Sequence, residues 1–461
     1  MADVDELVAE LRRAPLSNAA TLIRALGLGS QATLSRQVTR AGSAIVPIGK
    51  ARARRYAAAR DVRGLGTALP LYRVDVDGKL SGIGTLRSLV PEGCALDEPA
   101  ALPRWMRGHA GDGVFAGLPV FLADARPQGF LGRTFARRHV DFSLPDKPEN
   151  WSDDDAMVAL ARGGEDGVGD LVVGQESARR LYAQWAETPT PIASDERPST
   201  YPVMANQAID GVLPGSSAGG EQPKFGALVG PASSPYHALV KFSPADDSLA
   251  SSRWRDLLIC EHLALRTLQA AGYPAVTSEI VAGGSRLFLE TKRFDRVGGQ
   301  GRVSVVTLSA MNDEYAGVPP AAGHWPEVAE RLARQRWLLP ATVAQVRGLH
   351  WFGRFIANSD MHFGNLSFFP QDDGTLALAP VYDMLPMLYA PIGGELHERR
   401  FAPPVPEPGQ EASWFAAAEL AAAYWDAVAA DVGITQAFRT TAATNAVTLR
   451  DLVARFSGRY S

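Results

Sequence analysis

The residues whose types could do chemistry lie closest together between Phe352 and Asp383, in the string FGRFIANSDMHFGNLSFFPQDDGTLALAPVYD. Asp360, His362 and Asn365 fall within six residues, and a second acid, Asp383, follows after an alternating apolar segment that reads as a hairpin-like connection. A carboxylate can orient and deprotonate an attacking hydroxyl. An amide five residues later and a second carboxylate can hold a metal on the phosphate side. Mg2+ takes few protein carboxylates and completes its shell with phosphate and water, so Asn365 and Asp383 suffice as ligands and Asp360 is left as the base. His362 has no cysteine or second histidine beside it and is expected to hydrogen-bond within the loop at the edge of the nucleotide site rather than bind metal.

Such a site needs elements that hold phosphate. Lys241 sits in the strand-like run Ala238-Leu239-Val240-Lys241-Phe242, where an ammonium among apolar neighbours requires a carboxylate partner. Glu261, in the helix pattern Arg253 to Ala271, is the first candidate and Asp256 the second; the plain alternative is a lysine snorkelling from an edge strand. Gly215 to Lys224 is a glycine and serine loop leading into a strand, and its amides at Gly219 and Gly220, with Ser217 and Lys224, suit phosphate oxygens. No helix with Gly-Lys-Ser/Thr follows, so it is not a P-loop. Strands at Lys224 to Val229, Tyr236 to Phe242, Ser278 to Val281 and Arg286 to Thr291 around one long helix, with a mostly helical remainder, give the outline of a kinase-like fold.

At 461 residues the chain is too long for one compact core. Its 46% hydrophobic and 21% charged residues and net charge of −4 are those of an ordinary soluble protein without wholesale affinity for polyanions. Cys94 and Cys260 stand far apart without partner motifs, which excludes a disulfide framework or a zinc site and fits a reducing cytoplasm. The acidic N-terminus is no signal peptide, and Glu419, Asp426 and Asp431 interrupt the Ala-rich run that could otherwise suggest a membrane span.

The first 63 residues differ from the rest. Leu11 to Arg60 holds ten Lys or Arg and no Asp or Glu. Ser17 is the expected cap of a helix over Asn18 to Leu26, and Ser30 that of a second over Gln31 to Ala41. Gln31, Thr33, Ser35, Arg36, Gln37 and Arg40 are placed on the outward side of the second, suited to base edges and phosphates. Ala44 to Ile48 and Ala51 to Tyr56 about a Gly49-Lys50 turn read as a hairpin wing, with Lys50, Arg52, Arg54 and Arg55 toward a phosphate backbone. The whole is a winged helix-turn-helix, and the plain alternative is a helical protein-binding module. Beyond it, Tyr72 to Leu80 turns at Asp77-Gly78 as a hairpin. Pro119 to Phe121 reads as a strand, Gly129 to Arg138 as a helix, residues 146 to 175 as surface, Gln175 to Ala186 as a helix, and Thr188 to Pro202 as a linker.

Taken together, SSAGGEQPK, ALVKF, ETKRFDR (Glu290 to Arg296), NSDMHFGN and PVYD resemble the HipA family of serine/threonine kinases, known from toxin-antitoxin modules, over roughly residues 64 to 455. The fused N-terminal segment is similar to a YjjJ-like subgroup. The resemblance implies an α+β, bilobal, protein-kinase-like fold, with a small β-rich lobe and a larger helical lobe behind a winged helix-turn-helix. The expected units are 1–63 for the DNA-binding domain, 64–202 for an N-terminal subdomain and linker, 203–300 for the small lobe and 301–461 for the helical lobe. It implies ATP and Mg2+ as cofactors, Lys241 on the ATP phosphates, Asp360 as catalytic base, Asn365 and Asp383 on the metal, and autophosphorylation at Ser217 or the adjacent Ser216. A protein substrate, with translation factors as the class the resemblance suggests, and an antitoxin are the implied partners besides DNA. One departure stands out: where the family usually has Lys or Arg before the asparagine, this chain has Gly364. That leaves open a DNA-binding regulator whose kinase-like part senses nucleotide with little catalysis. A metal-dependent nuclease using Asp360, His362 and Asp383 would leave Lys241 and the glycine loop idle.

Overall fold

The structure is a computed structural model in which residues 3–187, 189–211, 222–320 and 324–460 are described. The chain begins with three helices, Val4–Arg13, Ala19–Ala25 and Gln31–Ala41, and a small sheet in which Arg55–Ala58 pairs with Ile45–Ile48 and with Ser17–Asn18. Ser30 caps the third helix as its type suggests, accepting from the Thr33 amide at 3.2 Å. The preceding helix is capped by Asn18, not Ser17, whose hydroxyl instead donates to the Ala14 carbonyl at 2.8 Å. Leu7, Leu11, Leu22, Leu34, Ile45 and Tyr56 bury one face of this unit. The hairpin is not free on its other face: Val46, Ile48 and Ala57 pack on Leu89 and Ala95 of the next unit.

That unit is an antiparallel five-stranded sheet in the order Val114–Phe115, Cys94–Leu96, Leu80–Ser88, Ala68–Val74, Leu171–Val173. Its Asp77-Gly78 turn closes as the sequence leads one to expect, because the Asp75 carboxylate accepts from the amides of Asp77 and Lys79 at 3.0 and 2.8 Å. Three local expectations fail. Pro119 initiates a short helix, Val120–Ala123, rather than a strand. Residues 146–175, polar at their ends, contain the helix Asp153–Gly163 with Ala156 to Ala161 all buried, and a strand of the sheet. Three acids, Asp153, Asp154 and Asp155, mask this segment as surface while serving the positive end of the helix. The stretch taken as linker enters the helix Arg197–Ile209, which starts with a proline in its first turn, where the missing amide costs nothing.

An antiparallel four-stranded sheet follows, ordered Ser278–Gly283, Arg286–Lys292, Tyr236–Phe242, Lys224–Val229, with the long helix Leu249–Ala270 against it. The strands Lys224–Val229 and Tyr236–Phe242 fall where alternation of apolar residues puts them. The remainder is helical, with Trp325–Arg334, Pro340–Phe355, Glu411–Ala430 and Gln436–Tyr460, and a hairpin of Ser367–Pro370 and Leu376–Leu378. Trp351, Trp414, Trp425 and Phe355 fill its centre. One apolar core runs without a break from Val62 and Leu69 of the five-stranded unit to Phe438 and Leu449 of the last helix. The architecture is mixed α/β. No helix among the described residues is long and apolar enough to cross a membrane.

Candidate active site

The helix Pro340–Phe355 ends in a left-handed residue, Ala357 at φ 60°, with the amides of Ala357 and Asn358 donating back to the carbonyls of Arg354 and Gly353 at 3.3 and 2.9 Å. This is a Schellman turn built without glycine, and it throws the chain out of the helix directly into Asn358 to Asn365. Two ties then join that loop to the Asp383 segment. The Asn358 side-chain Nδ2 donates to the Asp383 carbonyl at 3.2 Å, and the Tyr382 hydroxyl donates to the Gly364 carbonyl at 2.8 Å. Asp383 is itself left-handed at φ 58°. Two non-glycine residues in that region, one on each side of the loop, are strain of the kind a site imposes.

Within the loop the Asn365 side-chain nitrogen donates to the Asp360 carbonyl at 2.8 Å, so its Oδ1 is the atom left for the cavity. His362 Nδ1 accepts from the Gly364 amide at 3.1 Å, in keeping with the hydrogen-bonding role its isolation suggests. A Cβ at Gly364 would stand 3.0 Å from that same ring, so position 364 could carry a side chain only if His362 shifted. Asp360 is exposed and is not among the residues lining the cavity; its carbonyl, not its carboxylate, is engaged.

The sheet supplies the other wall. Lys241 and Lys224 are directly opposed in the antiparallel register, so two ammonium groups share one face of neighbouring strands. Carboxylates answer them. Lys241 Nζ donates to both oxygens of Glu261 at 2.7 Å and also to Asp383 Oδ1. Asp256 is not the partner: its oxygens accept from the backbone and hydroxyl of Thr435 at 2.8 and 2.7 Å, at the other end of the helical lobe. Burial works against the Lys241 ammonium, but Asp383 and Glu261 outweigh it and hold its pKa above the usual lysine range. Burial likewise opposes ionisation of Asp383, yet Lys241 and Lys224 hold it below the usual carboxylate range. For Glu261 burial prevails and the carboxyl is pushed up despite Lys241.

Lys224, Lys241, Glu261, His362, Gly364, Asn365 and Asp383 all line one cavity of about 330 Å³. Ser216, Ser217, Gly219 and Gly220 lie outside the described residues. Among the described residues no three His, Cys, Asp or Glu side chains converge as a self-sufficient metal cage. The donors that fit a magnesium ion are Asn365 Oδ1 and the Asp383 carboxylate, an oxygen pair that needs phosphate to complete it.

The same cavity is lined from the five-stranded unit by Asp124, Arg126 and Gln128. Nothing in the sequence points to them, because they come from a loop about a hundred residues ahead of Lys224 with no motif spacing of its own. Beside them, ETKRFDR forms a buried charge cluster. Asp295 accepts from Arg293 at 3.0 and 2.9 Å, from Arg296 at 2.7 Å and from the Gly169 amide at 3.0 Å, binding the sheet to the unit before it. Burial would raise the Asp295 carboxyl, but the two guanidiniums hold it well below the carboxylate range, while burial, aided by Arg296, lowers Arg302 to about 9.

In the N-terminal unit Gln31, Ser35, Arg36, Arg40, Lys50 and Arg54 are exposed, and Thr33 is half-buried within the cap of its helix. Only the backbone of Arg52 is described. Two expectations need correction. Gln37 is buried, facing inward, and Arg55, half-buried, is ion-paired to Asp112 of the following unit rather than left free for a phosphate. The second hairpin strand starts at Arg55, after a single 3-10 turn over Ala51–Ala53, rather than at Ala51.

Comparison with known proteins places this geometry. Residues 65–182 match the family described as YjjJ-like toxin, middle domain, and residues 216–449 match the HipA-like C-terminal domain. The chain is 39% identical over 416 residues to the Toxin YjjJ of Escherichia coli (strain K12), covering 89% of this chain and 90% of that protein. The chain therefore belongs to the HipA-like toxin family, in its YjjJ-like branch. Among solved structures it is similar in fold to a chain of the Shewanella oneidensis MR-1 toxin-antitoxin complex of HipA, HipB and operator DNA. The TM-score is 0.53 at 15% identity, with 85% of this chain and 97% of that one covered.

Proposed function

We propose that this chain is an ATP-dependent protein serine/threonine kinase of toxin type with a DNA-binding N-terminal unit. The observation that carries the proposal is the buried Lys241–Glu261–Asp383 cluster facing Asn365 across one cavity. A lysine held by a helix carboxylate, beside an asparagine and an aspartate with free oxygen donors, is the arrangement phosphoryl transfer uses. Lys241, with Lys224, contacts the phosphates of ATP; Asn365 and Asp383 would hold Mg2+, which when bound neutralises charge on the phosphate oxygens. Asp360 accepts the proton of a serine or threonine hydroxyl. The hydroxyl oxygen of that serine or threonine bonds to the γ-phosphorus as the bond to the β–γ bridging oxygen breaks, and ADP leaves. Ser217, or Ser216, is the proposed site of autophosphorylation.

Purified protein given γ-labelled ATP and Mg2+ should label itself, and Asp360→Asn should bind ATP with parental affinity yet transfer no phosphate. No label in the parent, or label undiminished in D360N, would remove the kinase reading. The exposure of Asp360 outside the cavity lining and the bare Gly364 favour one alternative, a DNA-binding regulator that senses nucleotide with weak catalysis. It predicts ATP binding without transfer, and DNA affinity that changes with nucleotide.

For the N-terminal unit we propose a winged helix-turn-helix that meets DNA through Gln31, Ser35, Arg36 and Arg40 of one helix and Lys50 and Arg54 of the hairpin turn. An antitoxin is a second proposed partner, by analogy with the HipA–HipB–operator complex. The protein substrate is proposed only by class, as a protein carrying a serine or threonine. Full-length protein should bind duplex DNA with a steep salt dependence, and Arg36→Ala with Arg40→Ala should flatten that slope by about two units.

A further inference from the structure

We infer that Arg126, from the five-stranded unit, is an anion-binding residue of the cleft that contacts the terminal phosphoryl group of the bound nucleotide. The inference rests on the kinase reading and deepens it: the unit ahead of the two lobes completes the site.

Arg126 lies in the turn between the short helix Val120–Ala123 and the helix Gly129–Arg138. Both ends of that turn are fixed. Gln128 Nε2 donates to the Ala123 carbonyl at 3.2 Å and closes the loop on itself. The Asp124 carboxylate accepts from the backbone and the hydroxyl of Thr307, both at 2.7 Å. Thr307 in turn is paired in register with Ser367, two residues past Asn365, and the Leu308 amide donates to the Leu366 carbonyl at 2.8 Å. The loop is thus anchored on the strand that leaves the catalytic loop, and Arg126 is held two residues from that anchor.

Asp124 feels the charge of Arg126, but no hydrogen bond joins the two. Arg126 Nε is buried without a hydrogen-bond acceptor among the described residues, and both oxygens of the neighbouring Asp124 are already taken by Thr307. The other cations of the lining differ. Lys241 is engaged by Glu261 and Asp383, Arg293 by Asp295 and Asp166, and Lys292 lies over the Tyr236 ring. A half-buried guanidinium whose buried Nε is left unsatisfied, beside cations that are compensated, implies an anion that arrives later. The loop itself offers no cation before Asn365, since Gly364 has no side chain and the His362 ring occupies the space one would need. Charge developing on the transferring phosphoryl group is where a fixed fork of donors is worth most.

The test uses the full chain in the Asp360→Asn background, so that nucleotide is not turned over. Affinities for Mg-ATP, Mg-ADP and AMP are measured by calorimetry for this protein and for its Arg126→Ala and Arg126→Lys derivatives, with thermal unfolding to check each fold. The expected result is a fall of about 10- to 100-fold in ATP affinity for R126A, much less for ADP and none for AMP, with R126K between. With Asp360 intact, R126A should also slow transfer by about 100-fold or more. An unchanged ATP-to-ADP affinity ratio in folded R126A would overturn the assignment of Arg126 while leaving the kinase reading standing. A parent that binds none of the three nucleotides would overturn both.

Discussion

Removing the Lys241 ammonium tests the electrostatic frame of the cleft without reference to any reaction. In Lys241→Met the cation disappears from between two carboxylates, of which Glu261 is fully buried and Asp383 mostly so. Each now keeps its desolvation cost with Lys224, and for Asp383 also His362, as the cations left to answer it, and breaking a buried ion pair from one side costs about 3–5 kcal/mol. For a chain of this size that corresponds to a fall in Tm of roughly 3–5 °C. The cost should depend on pH. Glu261 already has its carboxyl pushed up by burial, and without Lys241 it rises further, so the folded form gains a proton that the unfolded chain lacks. A carboxyl raised on folding penalises the fold above its folded pKa, and the penalty fades as pH falls toward the unfolded value. The deficit of K241M relative to the parent should therefore shrink between pH 8 and pH 5.5. Adding Glu261→Gln should restore about 2 kcal/mol, because the double variant no longer buries that unpaired charge. Thermal unfolding of parent, both single variants and the double variant across this pH range closes the cycle. A K241M protein within about 0.5 kcal/mol of the parent at pH 8, or a double variant no better than K241M, would refute the arrangement.

Asp295→Ala should be as costly, about 3–5 kcal/mol, since it strands Arg293 and Arg296 in a buried site with only Asp166 to answer them; urea unfolding measures it. Gly301→Ala would set a methyl 2.0 Å from the Val76 carbonyl, where the five-stranded unit meets the sheet, and should lower stability by about 1–3 kcal/mol without altering ATP affinity. Burial beside His324 pushes His350 down to about 3, so the unfolded chain takes up a proton that the fold refuses. Stability should thus fall as pH drops below 6.5, by about 2 kcal/mol between pH 7.5 and 5, and His350→Leu should remove that part of the acid sensitivity in thermal melts.

How much of the site was legible in the sequence depended on the range of the interaction that fixes each residue. Asn365 and His362 are set by local hydrogen bonds within one loop, and for His362 the lack of a neighbouring Cys or second His pointed to that role. Lys241 and Glu261 are twenty residues apart, on a strand and a helix whose patterns were clear, so that pairing could be anticipated between two candidates. Asp256 failed as the alternative because it lies further toward the start of the same helix, where Thr435 claims both of its oxygens. Arg126 and Asp124 were invisible, since nothing in a turn sequence foretells a contact with Thr307 nearly two hundred residues on. In the same way Arg55 looked like a phosphate contact until Asp112, far along the chain, claimed it. Polar composition misled most where helix capping and helix-end charge had recruited it, as at Asp153 to Asp155.

The unbroken core from Val62 to Leu449 has a consequence for how this chain could be divided. The two family matches, over residues 65–182 and 216–449, share that core, so the gap between them is not expected to be a boundary of cooperativity. A fragment beginning at the HipA-like match would lack the residues 62–173 that contribute to this core, and would leave part of its own apolar surface open to water. Such a fragment should collect in inclusion bodies rather than emerge as a working half, and amide exchange in the intact chain should show the two regions opening together.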